Sequence, residues 1–280
     1  MSIDRAAGDS NERSSHPPAS VHGAGQSPAR ELGTTARQFK EAFLDIVFPR
    51  SCAVCGERDP QRLKGHICHD CRAELQRLTR PWCTICGMEF GADFEPSDLP
   101  RCGRCIQETF SFHHARSVYR YEPEGVISEL ILGFKHGGRV ELAADLGDLM
   151  AAALPDCYPS VAWEGLVPVP LHRRRLHSRG YNQSFLLTTA LARRLCLPVI
   201  TAQLIRVKST PPQKGSRKQR RDNVAGAFRV RDPHSFAGKN LLLIDDVMTT
   251  GATIDRCAAV LCRAGAARVD VYTLARVPFL

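Results

Sequence analysis

The sequence predicts an α/β protein in which a parallel sheet flanked by helices is preceded by a small cysteine-rich module. Two observations predict this division. Eight of the twelve cysteines lie between Cys52 and Cys105, and strand-like segments alternate with helix-like segments from about Phe112 onward. Strands separated by helices form parallel sheets, whose ligands bind beyond the carboxyl ends of the strands.

Length and composition indicate a soluble protein with a substantial core. The chain has 280 residues, of which 43% are hydrophobic and 24% are charged, as in globular proteins generally. Its stretches without charged residues are too short or too polar to cross a membrane, which takes about 20 apolar residues. Because Asp4, Asp9 and Glu12 interrupt the N-terminus, we expect no secretory signal and a cytoplasmic location.

Three regions follow one another along the chain. Residues 1–36 contain no aromatic side chain and are rich in Ser, Gly, Pro and Ala, so we expect a disordered tail. Residues 37–110 combine a short helix, whose apolar stripe runs from Phe39 to Val47, with the cysteine module. Residues 111–280 are expected to form the α/β domain.

Apolar periodicity locates the elements of that domain. Short apolar runs typical of strands occupy residues 117–121, 165–170, 241–244 and 269–274. Helical faces recur in residues 127–134, 142–153, 181–195 and 254–264. Their alternation is what predicts parallel strands joined by helices.

Four Cys-x-x-Cys pairs have the spacing of zinc-binding turns. They are Cys52 and Cys55, Cys68 and Cys71, Cys83 and Cys86, and Cys102 and Cys105. One such turn directs two sulfurs at one ion, and two turns complete a closed tetrahedral shell of thiolates, so we expect two structural zinc ions. The spacing leaves sequential and cross-braced pairing of the four turns open.

The stretch from Leu241 to Thr253 is the most informative part of the chain. A buried strand leads to two adjacent carboxylates, Asp245 and Asp246, and a Thr-Thr-Gly turn then opens a helix. We call residues 248–253 the threonine turn: Met248, Thr249, Thr250, Gly251, Ala252 and Thr253. Its amides and hydroxyls suit a phosphate at a helix N-terminus. The carboxylates, which repel phosphate, are expected to face neutral hydroxyls such as a ribose diol, or a divalent cation.

Positive charge is concentrated in one segment. Residues 171–231 contain 15 Lys or Arg and one acidic residue, Asp222, whereas the whole chain has a net charge of +9. Such a segment indicates a polyanionic ligand, either a phosphorylated metabolite or a nucleic acid.

These motifs together resemble those of a known family. The stretch Asp-Asp-Val-Met-Thr-Thr-Gly-Ala-Thr from Asp245 resembles the 5-phosphoribosyl 1-pyrophosphate (PRPP) motif of type I phosphoribosyltransferases. Val-Pro-Val-Pro-Leu-His-Arg, which ends at Arg173, and Arg-Gly-Tyr-Asn-Gln, which begins at Arg179, are similar to segments of the ComF family specifically. That family joins an N-terminal double zinc ribbon to a type I phosphoribosyltransferase-like domain.

The resemblance implies roles for individual residues. Asp245 and Asp246 would be the catalytic acids, and Mg²⁺ would accompany PRPP. The threonine turn would hold the 5-phosphate, and Arg173, Arg174, Arg179 and Lys135 would add phosphate contacts. Residues 208–223 would form a mobile lid over PRPP.

Two classes of function follow from the resemblance. One is a PRPP-binding phosphoribosyltransferase acting in DNA uptake, natural transformation or nucleotide metabolism, its acceptor and turnover left open. The other is an accessory factor for single-stranded DNA, or a scaffold for a competence helicase or DNA-processing protein, whose PRPP site is regulatory or non-catalytic. The second case predicts a stacking surface formed by Tyr181 and Phe185, with packing in the core as the alternative for Phe185. Since the chain ends six residues after Leu274, we expect either that the zinc module forms the acceptor-binding hood or that the domain binds a phosphorylated ligand without turnover.

Overall fold

The computed structural model describes residues 50–91, 100–208 and 226–278. The tail and the helix predicted within residues 37–49 lie outside these ranges, as does all of the predicted lid except Lys208. Residues from Arg50 to Leu280 group into one compact unit.

Four parallel strands form the central sheet, in the order β3-β8-β7-β4. They are β3 (Ala115–Arg120), β4 (Gly165–Pro168), β7 (Asn240–Met248) and β8 (Arg268–Arg276). Each corresponds to an apolar run of the sequence, and all three pairings are parallel, so the predicted fold class is confirmed. A second, antiparallel pair consists of β5 (Leu204–Arg206) and β6 (Phe228–Val230).

Five helices surround this sheet within the described part of the α/β domain. They are α3 (Val126–His136), α4 (Leu142–Cys157), α5 (Arg173–Arg179), α6 (Gln183–Leu195) and α7 (Ala252–Arg263). Asn182 begins α6, because its side chain accepts from the Ser184 amide (3.1 Å) and donates to the Val169 carbonyl beyond β4 (3.1 Å). The start of α6 is thereby fixed at the carboxyl end of the sheet.

The cysteine module has little regular structure of its own. It contains a short hairpin of β1 (Leu63–Lys64) and β2 (Ile67–Cys68), followed by α1 (His69–Ala73) and, later, α2 (Gly103–Gln107). Its cysteines complete the two apolar cores, which lie on opposite faces of the sheet. Cys52, Cys68 and Cys71 pack with α3 and α4, and Cys83, Cys86 and Cys105 pack with α7.

A buried carboxylate joins the hairpin to α4. Asp145, on α4, accepts hydrogen bonds from the amide and the ring Nδ1 of His66, both at 3.0 Å, and from Arg72 at 3.2 Å. Gly65 is required at this contact, because a Cβ there would lie 1.9 Å from Oδ1 of Asp145. His66 therefore has a structural partner outside the cysteine sets.

In the described ranges, every helix is too short or too polar to span a lipid bilayer.

Candidate functional site

Two adjacent carboxylates lie near the carboxyl end of the central strand β7. The preceding residues, from Leu241 to Ile244, are fully buried, so the strand is held between its neighbours and delivers the acids to the edge where parallel sheets bind ligands. Asp245 accepts a hydrogen bond from the hydroxyl of Ser184 on α6, with 2.7 Å between Oγ and Oδ1. The same oxygen accepts from the Asp246 amide at 3.0 Å.

Lys135 brings the end of α3 to the acid pair. Its Nζ lies 3.0 Å from Oδ1 of Asp246 in a largely buried ion pair. The Tyr181 hydroxyl donates to the Phe134 carbonyl at 2.5 Å and so holds α3 against the start of α6. The structure thus brings together Lys135, Asp245 and Asp246, three of the residues singled out from the sequence.

The electrostatic environment of Asp245 is unusual for a carboxylate. Loss of hydration and the neighbouring Asp246 charge raise the pKa of Asp245 to about 7, although the Ser184 hydrogen bond works in the opposite direction. A carboxyl group perturbed by a defined neighbour is typical of functional sites. Near neutral pH, both protonation states of Asp245 are therefore populated in the folded protein.

The threonine turn connects the acid pair to α7. Gly251 adopts the left-handed conformation (φ 72°) directly before the helix, a conformation that costs glycine little. A Cβ at this position would lie 2.6 Å from Cε of Met248, so glycine also allows the turn to be tight. Gly251 supplies no capping side chain, and the Thr250 hydroxyl accepts a hydrogen bond from the Ala252 amide at 3.5 Å. A helix N-terminus favours an anion, because its first N–H groups point out of the helix.

The eight predicted cysteines form two sets of four, and the pairing is sequential. The first set is Cys52, Cys55, Cys68 and Cys71, and the second is Cys83, Cys86, Cys102 and Cys105, with all sulfurs of a set within 4.8 Å of one another. Four thiolates about 2.3 Å from one tetrahedral ion are about 3.8 Å apart. The Sγ atoms of Cys55 and Cys68 are 3.6 Å apart, and those of Cys86 and Cys102 are 3.7 Å apart. The geometry fits structural zinc and excludes cross-braced pairing.

A cavity of about 690 Å³ opens beside the end of β4. Arg173, Arg206 and Arg231 line it together with apolar side chains that include Leu176 and Phe185. The sequence did not single out Arg206 or Arg231, because each is one of fifteen basic residues in the segment. It also missed Ser184, whose only signal was a hydroxyl on the inward face of α6, a face that it shares with Leu187, Thr188 and Leu191.

The three arginines expected to add phosphate contacts lie on the short helix α5. Arg173 and Arg174 are exposed on α5, which His172 caps by accepting from the Arg174 amide at 3.2 Å. Arg179, in its last turn, donates to Oε1 of Gln183 at 2.8 Å. Arg173 reaches the cavity, whereas Arg174 is not among the residues that line it.

Comparison with known proteins agrees with this geometry. A double zinc ribbon domain matches residues 43–106, and a phosphoribosyl transferase domain matches residues 182–278. Competence protein F of Haemophilus influenzae is 32% identical over 76% of this chain and 91% of its own. DNA utilization protein YhgH of Escherichia coli K12 is 34% identical over 82% of this chain and 99% of its own. Competence protein ComFC of Bacillus subtilis is 30% identical over 75% of this chain and 84% of its own.

The fold and the site define a phosphoribosyltransferase-like protein that carries a double zinc ribbon. Within this class, Competence protein F and YhgH are each more than 30% identical to this chain over most of both sequences. The chain belongs to the ComF family.

Proposed function

We propose that this protein binds PRPP with Mg²⁺ at the end of β7. The observation that carries the proposal is the order of a buried strand, a carboxylate pair and a helix that begins at a glycine. The carboxylates can accept hydrogen bonds from ribose hydroxyls, and the helix N-terminus beside them can donate hydrogen bonds to a phosphate. The threonine turn holds the 5-phosphate, and Asp245 and Asp246 accept from the ribose hydroxyls. Mg²⁺ neutralises pyrophosphate, for which carboxylates and phosphate oxygens are suitable ligands.

Basic side chains around the acid pair complete the proposed site. Lys135 forms an ion pair with Asp246. When a phosphate or Mg²⁺ binds beside Asp246, this lysine exchanges its partner. Arg173 and Arg179 flank the same end of the sheet, and Arg174 lies on the same short helix. Guanidinium groups bind phosphate through two parallel hydrogen bonds, which gives them geometric selectivity as well as charge.

Calorimetry with Mg²⁺ and PRPP tests the assignment. We expect Asp245→Asn combined with Asp246→Asn to abolish binding. Asp148→Asn is a matched control, because Asp148 also pairs with a cation, Arg194, at 2.6 and 2.7 Å but lies on the exposed side of α4. Equal affinity of the double variant and the control would contradict the assignment.

Transfer from PRPP would break the bond between ribose C1 and pyrophosphate and form a bond between C1 and an acceptor. The electron pair of the broken bond leaves with pyrophosphate, whose charge the arginines and Mg²⁺ stabilise. Positioning supplies much of the remaining acceleration. Measuring pyrophosphate release with a panel of nucleobases distinguishes an enzyme from a protein that only binds PRPP. Release with one base defines an enzyme, and tight binding without release defines a PRPP-dependent binding protein.

A second candidate function, binding of single-stranded DNA, rests on the cavity beside β4. Phe185 is 39% exposed and lies in the cavity with Tyr181 and three arginines, an arrangement of aromatic faces and cations that suits unstacked bases. The names of the relatives, competence and DNA utilization, support a role in DNA uptake or metabolism. A helicase or DNA-processing partner would belong to the same context.

Salt dependence tests this second function. Affinity for an oligonucleotide should fall steeply with salt, by about 0.7 in log K per log unit for each phosphate contacted. Phe185→Ala should weaken binding about tenfold, since stacking is worth about 1–3 kcal/mol per base. Leu132→Ala, which truncates another exposed apolar residue (51%), should leave it unchanged. Absence of binding at low salt would exclude this function.

A further inference from the structure

The second cysteine set lies directly against the threonine turn. Arg104, between Cys102 and Cys105 on α2, donates a hydrogen bond to the backbone carbonyl of Thr250. Its Nε donates to Glu108 at 2.9 Å, and its guanidinium stacks 4.8 Å from the centre of the Phe110 ring. The arginine is therefore held in one orientation by its own module while it contacts the turn.

A second arginine connects the same two places from the sheet. Arg276, at the end of β8, is 1% exposed. Its Nη1 lies 2.6 Å from the Cys86 carbonyl and 3.1 Å from Sδ of Met248, the first residue of the turn. Its Nη2 lies 3.5 Å from the Cys86 sulfur. One guanidinium thus contacts a zinc ligand and the turn together.

The charge of Arg276 explains why this contact depends on the cysteines. A buried cation is costly unless an anion compensates it. Four thiolates around one Zn²⁺ leave that site with a net negative charge, and a guanidinium hydrogen bond to a ligand sulfur is the kind of outer contact that orients metal ligands. Replacement of a ligand sulfur, or its oxidation to a disulfide, removes negative charge beside Arg276, and the side chains around Met248 then have to rearrange.

The first cysteine set makes no comparable contact among the described residues. Its arginine, Arg72, donates to the carbonyls of Ile67 (3.3 Å) and Lys64 (2.7 Å) and to Asp145. These contacts join the first set to α4, away from the threonine turn. The first set therefore supports α4, whereas the second set supports the threonine turn.

We propose that the second cysteine set positions the threonine turn through Arg104 and Arg276, so that an intact second zinc site is required for full affinity toward a sugar 5-phosphate. The inference rests on the proposed PRPP site for its ligand. Arg104 and Arg276 are positioning residues, since they act through the backbone carbonyl of Thr250 and the side chain of Met248.

Replacing one zinc-ligating cysteine in each set compares the roles of the two sets. Cys102→Ser and Cys55→Ser each remove the most accessible thiolate of one set, since Cys55 is exposed and Cys102 is half-buried. With ribose 5-phosphate as the calorimetric probe, we expect Cys102→Ser to weaken binding about 3- to 30-fold, the range of typical coupling between linked sites. Cys55→Ser should bind as the wild type does. Equal effects of the two substitutions, or none, would overturn the proposal.

Arginine variants test the route of the coupling with zinc retained. We expect Arg104→Met to keep the zinc content of the wild type, to weaken ribose 5-phosphate binding and to speed hydrogen exchange of the amides in residues 248–255. Arg104→Lys should restore part of the ribose 5-phosphate affinity and part of the protection from exchange. Arg72→Met should change neither the affinity nor the exchange. Unchanged exchange and affinity in Arg104→Met would refute the coupling. If wild-type protein fails to bind ribose 5-phosphate, the proposed function is wrong, and the exchange measurement still decides on the coupling.

Discussion

Replacing Asp245 with asparagine should make the free protein more stable at pH 8 while it abolishes ligand binding. The pKa of Asp245 is about 7 in the folded chain against an ordinary value of 3.8. The folded state therefore holds a proton that the unfolded state has released, and folding becomes less favourable as the pH rises from about 4 to about 7. Above that range the full cost applies. It is about 4 kcal/mol, because each tenfold change in proton affinity corresponds to about 1.4 kcal/mol.

Contact with solvent reduces the energetic cost of ionising Asp245. Because Asp245 is partly accessible, we take about half of that cost, so Asp245→Asn should raise the free energy of unfolding by about 2 kcal/mol at pH 8. At pH 5 the gain should be below about 1 kcal/mol, since the folded carboxyl group is then mostly protonated. Asparagine keeps an oxygen that accepts from Ser184 and from the Asp246 amide, so the local hydrogen bonds survive.

Urea denaturation at pH 5 and pH 8 measures both values. Asp148→Asn is the control, because it also removes a carboxylate, one that pairs with Arg194 on the exposed side of α4 (2.6 and 2.7 Å) and lies outside the acid pair. The reasoning is refuted if Asp245→Asn is no more stable than wild type at pH 8, or if its gain is the same at both pH values.

Three further predictions concern the turn, the acid pair and the metal. Gly251→Ala places a Cβ 2.6 Å from Met248 Cε and should weaken ribose 5-phosphate binding in calorimetry. Gly238→Ala, with a similar φ of 70° but open space, should leave binding unchanged and cost only about 1–2 kcal/mol of stability; equal binding losses would contradict this. Ser184→Ala removes a hydrogen bond that lowers the pKa of Asp245. Because we expect ionised Asp245 to accept from the ribose hydroxyls, PRPP affinity should rise with pH, and in this variant the rise should move to higher pH; an unmoved profile would argue against it. Removal of zinc by a strong chelator should lower the melting temperature of the whole chain in one transition, because both cysteine sets lie in the cores of the sheet; a second transition at the original temperature would show that the sheet folds without metal.

The acid pair and its surroundings were predictable because their signals are contiguous. Strand, acids, turn and helix follow one another within β7 and α7, and each has a local pattern of its own. The short helix α5 was not predicted because none of its residues is buried, so no apolar periodicity marks it. Its boundaries rest on a histidine cap and on Gly180 at φ 82°, which are weaker signals than an apolar stripe.

The placement of the cysteine sets on opposite faces of the sheet could not be predicted either. The contacts that dock the first set join His66 and Asp145, which are 79 residues apart. Those that dock the second join Cys86 and Arg276, which are 190 residues apart. Spacing within a motif identifies a metal site, but it carries no information about which distant side chains meet it.

Because thiolates from both sets fill the interior on either side of the sheet, this chain is expected to mature only as fast as it acquires its metal. Shortage of zinc in the cell would then reduce the amount of native protein, in addition to any loss of ligand affinity in molecules that lack the second zinc ion. A shortened chain that begins after Cys105 would expose both apolar layers to water, and we expect it to aggregate instead of yielding an isolated transferase-like domain.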